Sequence, residues 1–237
     1  MMLVALKGES WKTSRNILSP MFTSSKLKAI MPLMHQCGEK FTNYLEANLN
    51  QDVDCKEIFQ RFTVEILGTL GCGVDPHVLE NGKNRFYEEA MILSGATNPS
   101  ILVALRFAVA FFLPDLCYNL DLSIFEPNNL NFFIQVIQKS IEQRKNNNMR
   151  RNDFIDLLRD SIEELETEKK EKICSEEEFQ DYVVANGMML FFVGNDTSSG
   201  ALALALHFLA WNPEAQEKLY DEIQVLFTLK HFLIPNF

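Results

Sequence analysis

An acid and three hydroxyls interrupt an apolar stretch of the chain at residues 191–199, FFVGNDTSS. Burying an ionised carboxylate without partners is strongly unfavourable, and serine and threonine compete with the hydrogen bonds of a helix backbone. Gly194 removes a side chain one turn before Thr197, so a small ligand can approach the backbone there. Asp196 then places an acid beside that hydroxyl, which suggests a chemical site. A polar stripe satisfied by neighbouring helices is the alternative.

Trp11 and Arg15 form a second candidate pair. They stand four residues apart, so both project from one face of a helix and could offer an indole N–H and a guanidinium to the same anion. An ordinary aromatic–cation pair at the surface has the same spacing.

Helices must position these residues, because strand patterns are scarce and the predicted class is mainly α. Apolar spacing predicts helices over 10–18, 25–49, 59–70, 84–93, 131–145 and 153–165. Ser175 and Glu178 match a capping box, which predicts a long helix from there to about Trp211. That helix is apolar on all sides around the candidate site, as a central helix is. Asn212 caps the next helix, which begins at Pro213.

Composition and charge restrict the partners. The chain has 237 residues, is 47% hydrophobic and carries a formal net charge of −10. It can bury a sizeable core, and nucleic acid is disfavoured as a partner, since phosphate contacts need clustered lysine and arginine. Residues 1–30 differ, because five lysine and arginine residues there outnumber one glutamate. This basic face could steer an acidic protein partner, or it could be a solvated helix face.

The cysteines indicate a reducing compartment. Five are scattered without close pairs, which favours free thiols over a disulfide framework or a zinc site: Cys37, Cys55, Cys72, Cys117 and Cys174. The apolar segment 101–113 is too short to span a membrane and contains Arg106, so no transmembrane anchor is predicted. No signal peptide is predicted at the start of the chain.

Four segments, in order, resemble the haem-thiolate monooxygenases of the cytochrome P-450 superfamily, and within it the arthropod microsomal enzymes of the detoxification type. Residues 6–15 (LKGESWKTSR) and 18–24 (LSPMFTS) are similar to the family's helix C and its continuation. Residues 152–158 (NDFIDLL) resemble helix H, 193–198 (VGNDTS) the oxygen-activating part of helix I, and 212–219 (NPEAQEKL) the start of helix J. The resemblance covers nearly all of residues 3–224. It implies the central part of the family fold, an incomplete domain over residues 1–225.

The resemblance implies a role for each candidate residue. Trp11 and Arg15 are expected to hold a haem propionate, while Gly194, Asp196 and Thr197 line the distal oxygen pocket. The acid and the hydroxyl are expected to relay protons to dioxygen, so that the O–O bond breaks heterolytically. A set of apolar side chains is expected to face a lipophilic substrate, with core packing as the alternative for the aromatic ones: Phe111, Phe112, Phe191, Phe192 and Val193.

The resemblance also implies partners and a location for the parent enzyme. Electrons are expected from a flavoprotein reductase that docks on the basic N-terminal face. The parent enzyme is expected on the cytosolic face of the endoplasmic reticulum membrane.

Two family motifs do not occur in the sequence. No cysteine lies in a loop of the form Phe-x-x-Gly-x-x-x-Cys-x-Gly, since Cys72 lacks both the phenylalanine and the final glycine, and no Glu-x-x-Arg triplet occurs. We therefore predict that the chain alone is inactive, and that residues 226–237, where no family motif continues, are non-native coding sequence. A non-catalytic helical binding or interaction protein, derived from such an enzyme, is the alternative.

Overall fold

The computed structural model describes residue 3, residues 6–95, residues 105, 108–109 and 112–113, and residues 127–233. All regular secondary structure in these residues is helical, which confirms the predicted mainly α class. The helices are α1 (Gly8–Leu18), α2 (Ser24–Ala47), α3 (Cys55–Leu67), α4 (Val78–Asn81), α5 (Arg85–Leu93), α6 (Pro127–Asn147), α7 (Phe154–Lys169), α8 (Glu176–Trp211) and α9 (Pro213–Leu233). A 3-10 turn follows α1 and a π-helical turn follows α3.

The predicted long helix is α8, which carries the acid–hydroxyl segment. Its capping box is confirmed, because the Glu178 N–H donates to Ser175 Oγ at 3.2 Å and the Ser175 N–H donates to Glu178 Oε2 at 2.7 Å. The two bonds satisfy backbone donors that the first turn of a helix leaves without partners. The start of α8, and with it the position of every site residue along the helix, is therefore fixed by its sequence.

Two glycines allow α8 to cross the α3 region closely. A Cβ on Gly187 would lie 3.2 Å from the Gly71 carbonyl oxygen, and a Cβ on Gly194 would lie 3.2 Å from Leu67 Cδ2. Both distances are tighter than most contacts that a real Cβ makes. The small residues of α8 therefore set how near α3 and its π-helical turn approach the site.

An aromatic cluster holds the other side of α8. The ring of Phe191 lies 5.3 Å from Phe133 of α6 and 5.8 Å from Phe86 of α5, measured between centroids. Phe133 and Phe191 are fully buried. Edge-to-face and tilted rings at such distances stabilise a core beyond the area that they bury. Phe191 is therefore part of the core that anchors α8.

Several helix boundaries differ from the sequence-based predictions, and α6 begins four residues early, at Pro127. The helix predicted from residue 59 begins one turn earlier, at Cys55, because Asp54 Oδ1 accepts from the N–H groups of Lys56 and Glu57. The helix predicted to end at residue 165 continues to Lys169. The segment beyond is held by Glu166 Oε1, which accepts from Ile173 N at 2.8 Å.

The second half of α8 presents a large apolar surface. Exposed side chains there are Leu202, Leu204, Leu206, Phe208 and Trp211. By length and composition α8 could cross a membrane, a test that core helices of soluble proteins also pass. Beyond it, α9 stays helical to Leu233.

Candidate functional site

The rotation of α8 divides the acid–hydroxyl segment into two faces. Phe191, Asn195 and Ser199, spaced four residues apart, are buried. Asp196 and Thr197 are exposed on the opposite side. The segment is therefore not uniformly buried. Asn195 and Ser199 lie in the core, and the side chains of Asp196 and Thr197 are accessible from outside.

Thr197 has a defined hydroxyl direction. Its Oγ1 donates to the Val193 carbonyl oxygen at 2.5 Å, one turn back along α8. Such bonds occupy the hydroxyl proton and leave the oxygen lone pairs as acceptors. Thr197 is therefore arranged to accept a hydrogen bond from a group on the exposed face of α8.

Asp196 is bonded to α3 and not to its neighbour Thr197. The Lys56 ammonium donates to Asp196 Oδ1 at 2.7 Å and to the Asp196 carbonyl oxygen at 3.0 Å. It also donates to Ser199 Oγ at 3.2 Å. The acid and the hydroxyl thus lie side by side in sequence but have separate partners.

Asn195 fixes this rotation from the buried side. Its Oδ1 accepts from Thr63 Oγ1 of α3 at 2.7 Å, and its Nδ2 donates to Ser94 Oγ at 3.1 Å. Buried amides that find partners on several elements make a packing arrangement specific. Asn195 ties α8 to α3 and to the end of α5, one residue before the acid.

The close approach that Gly194 permits is used by α3. Leu67 Cδ2 and Cδ1 would lie 3.2 and 3.5 Å from a Cβ at this position. The space beside Gly194 on that side is therefore filled by protein.

Trp11 and Arg15 share the exposed face of α1, as their spacing predicts. Arg15 also lines a cavity of about 360 Å³ with Asn186, Met189 and Leu190 of α8. These α8 residues precede Gly194 by about one to two turns. The structure thus brings Arg15 beside α8, upstream of the acid–hydroxyl segment.

The apolar candidates are distributed over different environments. Phe191 is fully buried in the aromatic core, so core packing describes it. Val193 is 51% exposed and Phe112 77% exposed, and Phe192 is half-buried. Phe111 lies outside the described residues.

Comparison with known proteins identifies the family. A family model described as Cytochrome P450 matches residues 2–232. The chain belongs to the cytochrome P450 family. It is 30% identical over 228 residues to a probable cytochrome P450 6a13 of Drosophila melanogaster, which covers 96% of this chain and 43% of that protein. It is 31% identical over 223 residues to cytochrome P450 3A31 of Mesocricetus auratus, covering 92% of this chain and 43% of the relative.

These relatives confirm the family predicted from the sequence, and insect and mammalian members are both among them. A third, cytochrome P450 9e2 of Blattella germanica, is 30% identical over 93% of this chain and 45% of its own length. The chain therefore spans less than half the length of the relatives that it matches.

Complete enzymes of the family carry haem, and part of this structure fits it. Trp11 and Arg15 offer an indole N–H and a guanidinium from one exposed helix face, which suits a propionate carboxylate. The exposed face of α8 offers the hydroxyl of Thr197. None of the described cysteines lies in the glycine-rich loop that the resemblance gives to the iron ligand, and burial raises the pKa of the Cys37, Cys72 and Cys174 thiols.

The basic N-terminal face is partly neutralised by other side chains. Lys26 Nζ lies 2.9 Å from Glu164 Oε1 and 3.6 Å from Asp160 Oδ2 of α7. The hydrogen bond with Glu164 raises the pKa of Lys26. Lys12 is paired with Glu9 at 2.6 Å within α1. Lys12 and Lys26 therefore have acidic partners in this chain.

Sequence reasoning missed the residues of α3 that contact the site. Lys56, Thr63 and Leu67 lie seven and four residues apart, which is one face of a helix. The amphipathic pattern of this helix could have indicated them, since Lys56 and Thr63 share one face with Leu67. The prediction missed Lys56 because the predicted helix began at residue 59.

Proposed function

We propose that this chain forms the distal, oxygen-activating part of a haem monooxygenase that inserts one atom of dioxygen into a lipophilic substrate. The observation that carries the proposal is the exposed hydroxyl of Thr197, oriented by Val193 on the central helix of a member of this family.

Trp11 and Arg15 would hold one edge of the haem through a propionate. When bound, haem supplies the redox chemistry by which dioxygen is reduced and cleaved. An indole N–H and a guanidinium on one helix face give a bidentate, charge-assisted contact to a carboxylate. Their role is to fix the orientation of the group relative to α8.

Thr197 would deliver protons on the distal side. Because its own proton is donated to the Val193 carbonyl, its oxygen accepts a hydrogen bond from a water or ligand on the exposed face. Asp196, partly exposed and held by Lys56, would exchange protons with solvent. The pair would act through intervening water, since the two side chains have separate partners.

The exposed Val193 and the half-buried Phe192 would border the substrate on this face. The exposed Phe112 would also face the substrate. Val193 and Phe192 are apolar and lie within one turn of Thr197, which suits a lipophilic molecule placed beside the reacting oxygen.

Electrons would come from a flavoprotein reductase at the cytosolic face of the endoplasmic reticulum membrane. The docking surface would be the basic N-terminal face, using the basic residues that α7 does not neutralise. The exposed Lys28 of α2 is such a residue. Substitution of Lys28 by glutamate should weaken docking more than the same substitution of Lys26, which pairs with Glu164.

The test of the proposal compares two threonines in the complete haem enzyme that contains this chain. Thr197→Ala should keep haem and substrate binding but divert reducing equivalents from product to peroxide, because general acid–base assistance is commonly worth about 10²–10⁴-fold. Thr42→Ala is the control, since Thr42 is also exposed and donates to the carbonyl four residues back, Gly38, at 3.1 Å. Equal product yield per reductant in both variants would contradict the proposal.

A non-catalytic binding protein is the second candidate. The observation that favours it is the exposed apolar surface on the second half of α8, which a partner could cover: Leu202, Leu204, Leu206, Phe208 and Trp211. A stable, soluble, iron-free chain isolated from its natural source would support this candidate.

A further inference from the structure

We propose that Lys56 is a positioning residue of the oxygen-activation site, which holds the Asp196 carboxylate on the α3 side of α8. This inference rests on the proposed function of Asp196. It concerns a residue in none of the segments that the sequence analysis quotes for the resemblance, and Lys56 precedes Asp196 by 140 residues.

Each of the three N–H donors of the Lys56 ammonium has an acceptor on α8. A lysine ammonium has three N–H donors. Those of Lys56 meet Asp196 Oδ1 at 2.7 Å, the Asp196 carbonyl oxygen at 3.0 Å and Ser199 Oγ at 3.2 Å. All three acceptors lie on one turn of α8, so the ammonium is held by that turn although the Lys56 side chain is 37% exposed.

α8 also leaves room for the Lys56 ammonium, beside Gly200. Gly200 follows these acceptors, and a Cβ at that position would lie 3.1 Å from Lys56 Nζ. A larger residue would require the ammonium to shift by a few tenths of an ångström. The missing side chain of Gly200 therefore completes the space into which Lys56 reaches.

The backbone of Lys56 is fixed as well. Lys56 lies in the first turn of α3, where its backbone N–H donates to Asp54 Oδ1 at 2.8 Å. Thr63 and Leu67, on the same face of α3, contact Asn195 and Gly194 of α8. The backbone of Lys56 is thus held in register with the turn that carries Asp196.

Other lysine pairs of the chain differ from this arrangement. Lys12 pairs with Glu9 inside one helix, and Lys83 meets Glu57 at a single 2.9 Å contact. Lys26 and Lys40 also join two helices, through carboxylates, whereas Lys56 binds a backbone carbonyl as well as a carboxylate. It fixes the direction of the Asp196 side chain and so the path by which that acid exchanges protons with Thr197.

The geometry is tested by residue-specific acylation of lysines, followed by mass spectrometry of the intact folded chain. Asp196→Asn should raise the acylation rate of Lys56 about two- to fivefold, the range that loss of a partly exposed pair corresponds to. The rate at Lys83 should stay constant. Ser198→Ala, a change on the same turn, should leave Lys56 unaffected. An unchanged rate at Lys56 in Asp196→Asn would overturn the inference whatever the haem chemistry.

The positioning role is tested in the complete haem enzyme by the peroxide released per reductant and by its solvent deuterium isotope effect. Lys56→Met should change both in the same direction as Asp196→Asn, and Lys56→Arg should restore them, since a guanidinium again supplies several donors. If Asp196→Asn alone changes these quantities, the Lys56 inference fails. If neither variant changes them, the proposed role of Asp196 fails, and the positioning role fails with it.

Discussion

Thr63 donates a 2.7 Å hydrogen bond to the amide oxygen of Asn195, and this buried bond fixes the rotation of α8 one residue before Asp196. The amide nitrogen of Asn195 meets Ser94 at 3.1 Å on its other side. Because the helix cannot rotate without breaking both bonds, Asn195 decides that Asp196 and Thr197 face outward.

We expect Asn195→Ala to lower the free energy of unfolding by about 1–3 kcal/mol, through lost buried hydrogen bonds and a small cavity. Asn48→Ala is the control, since Asn48 makes one bond to Tyr44 O at 2.7 Å at the end of α2. It should cost about 0.5–1 kcal/mol. Urea denaturation of each variant measures the difference. Equal losses would show that Asn195 is not the specific tie between α3 and α8.

Gly194 gives a second stability prediction. Gly38→Ala in α2 meets nothing within 4 Å and should stabilise by about 0.5–1 kcal/mol, because alanine favours a helix interior. Gly194→Ala should instead be about 1–3 kcal/mol less favourable than Gly38→Ala, since its Cβ crowds Leu67.

The double variant Gly194→Ala/Leu67→Ala checks the cause of that loss. Its change in unfolding free energy should be smaller than the sum of the two single changes, because the leucine that is crowded is gone. Additive changes would mean that Leu67 is not the group that Gly194 accommodates.

The ion pair of Asp75 gives a pH dependence. Its hydrogen bonds with Arg151, at 2.8 and 3.3 Å, lower the pKa of the Asp75 carboxyl below its usual value. A lowered pKa contributes stability that is present above the unfolded pKa, near 4, and is lost as the pH falls through the folded pKa. The contribution should stay below about 1 kcal/mol, because Asp75 is nearly half exposed.

We therefore expect Asp75→Asn to destabilise the chain at pH 7 but hardly at pH 2. Unfolding free energies measured between these values should converge as the pH falls. Asp52→Asn, at an exposed position after α2, serves as the matched control. A difference between Asp75→Asn and the parent that persists at pH 2 would show that the effect is not ionic.

The sequence predicts helix ends well where a side chain caps them. The capping box of Ser175 and Glu178 is such a case. The start of α3 was predicted a turn late, because the apolar pattern begins at Phe59 while the cap is Asp54. The hydrogen bonds of a cap join residues that are close in the sequence. At the start of α3 the capping residue, and not the first residue of the apolar pattern, sets the helix boundary.

The contacts between α3 and α8 could not be predicted in the same way. Lys56 and Asp196 are 140 residues apart, and their meeting depends on how each helix rotates about its own axis. That rotation follows from packing at Gly194 and Asn195, which a single sequence does not relate to Leu67 or Thr63. The sequence therefore identified the acid and the hydroxyl, and the structure was needed to find what holds the acid.

The central claim is that the chain supplies the distal face of a haem site and not its thiolate. The most direct measurement is the carbon monoxide difference spectrum of the reduced chain with excess haem. Since no cysteine of the chain lies in a loop of the haem-binding form, we expect no red-shifted Soret band of the thiolate type. The complete enzyme that contains this chain should show that band. Its appearance with this chain alone would contradict the account.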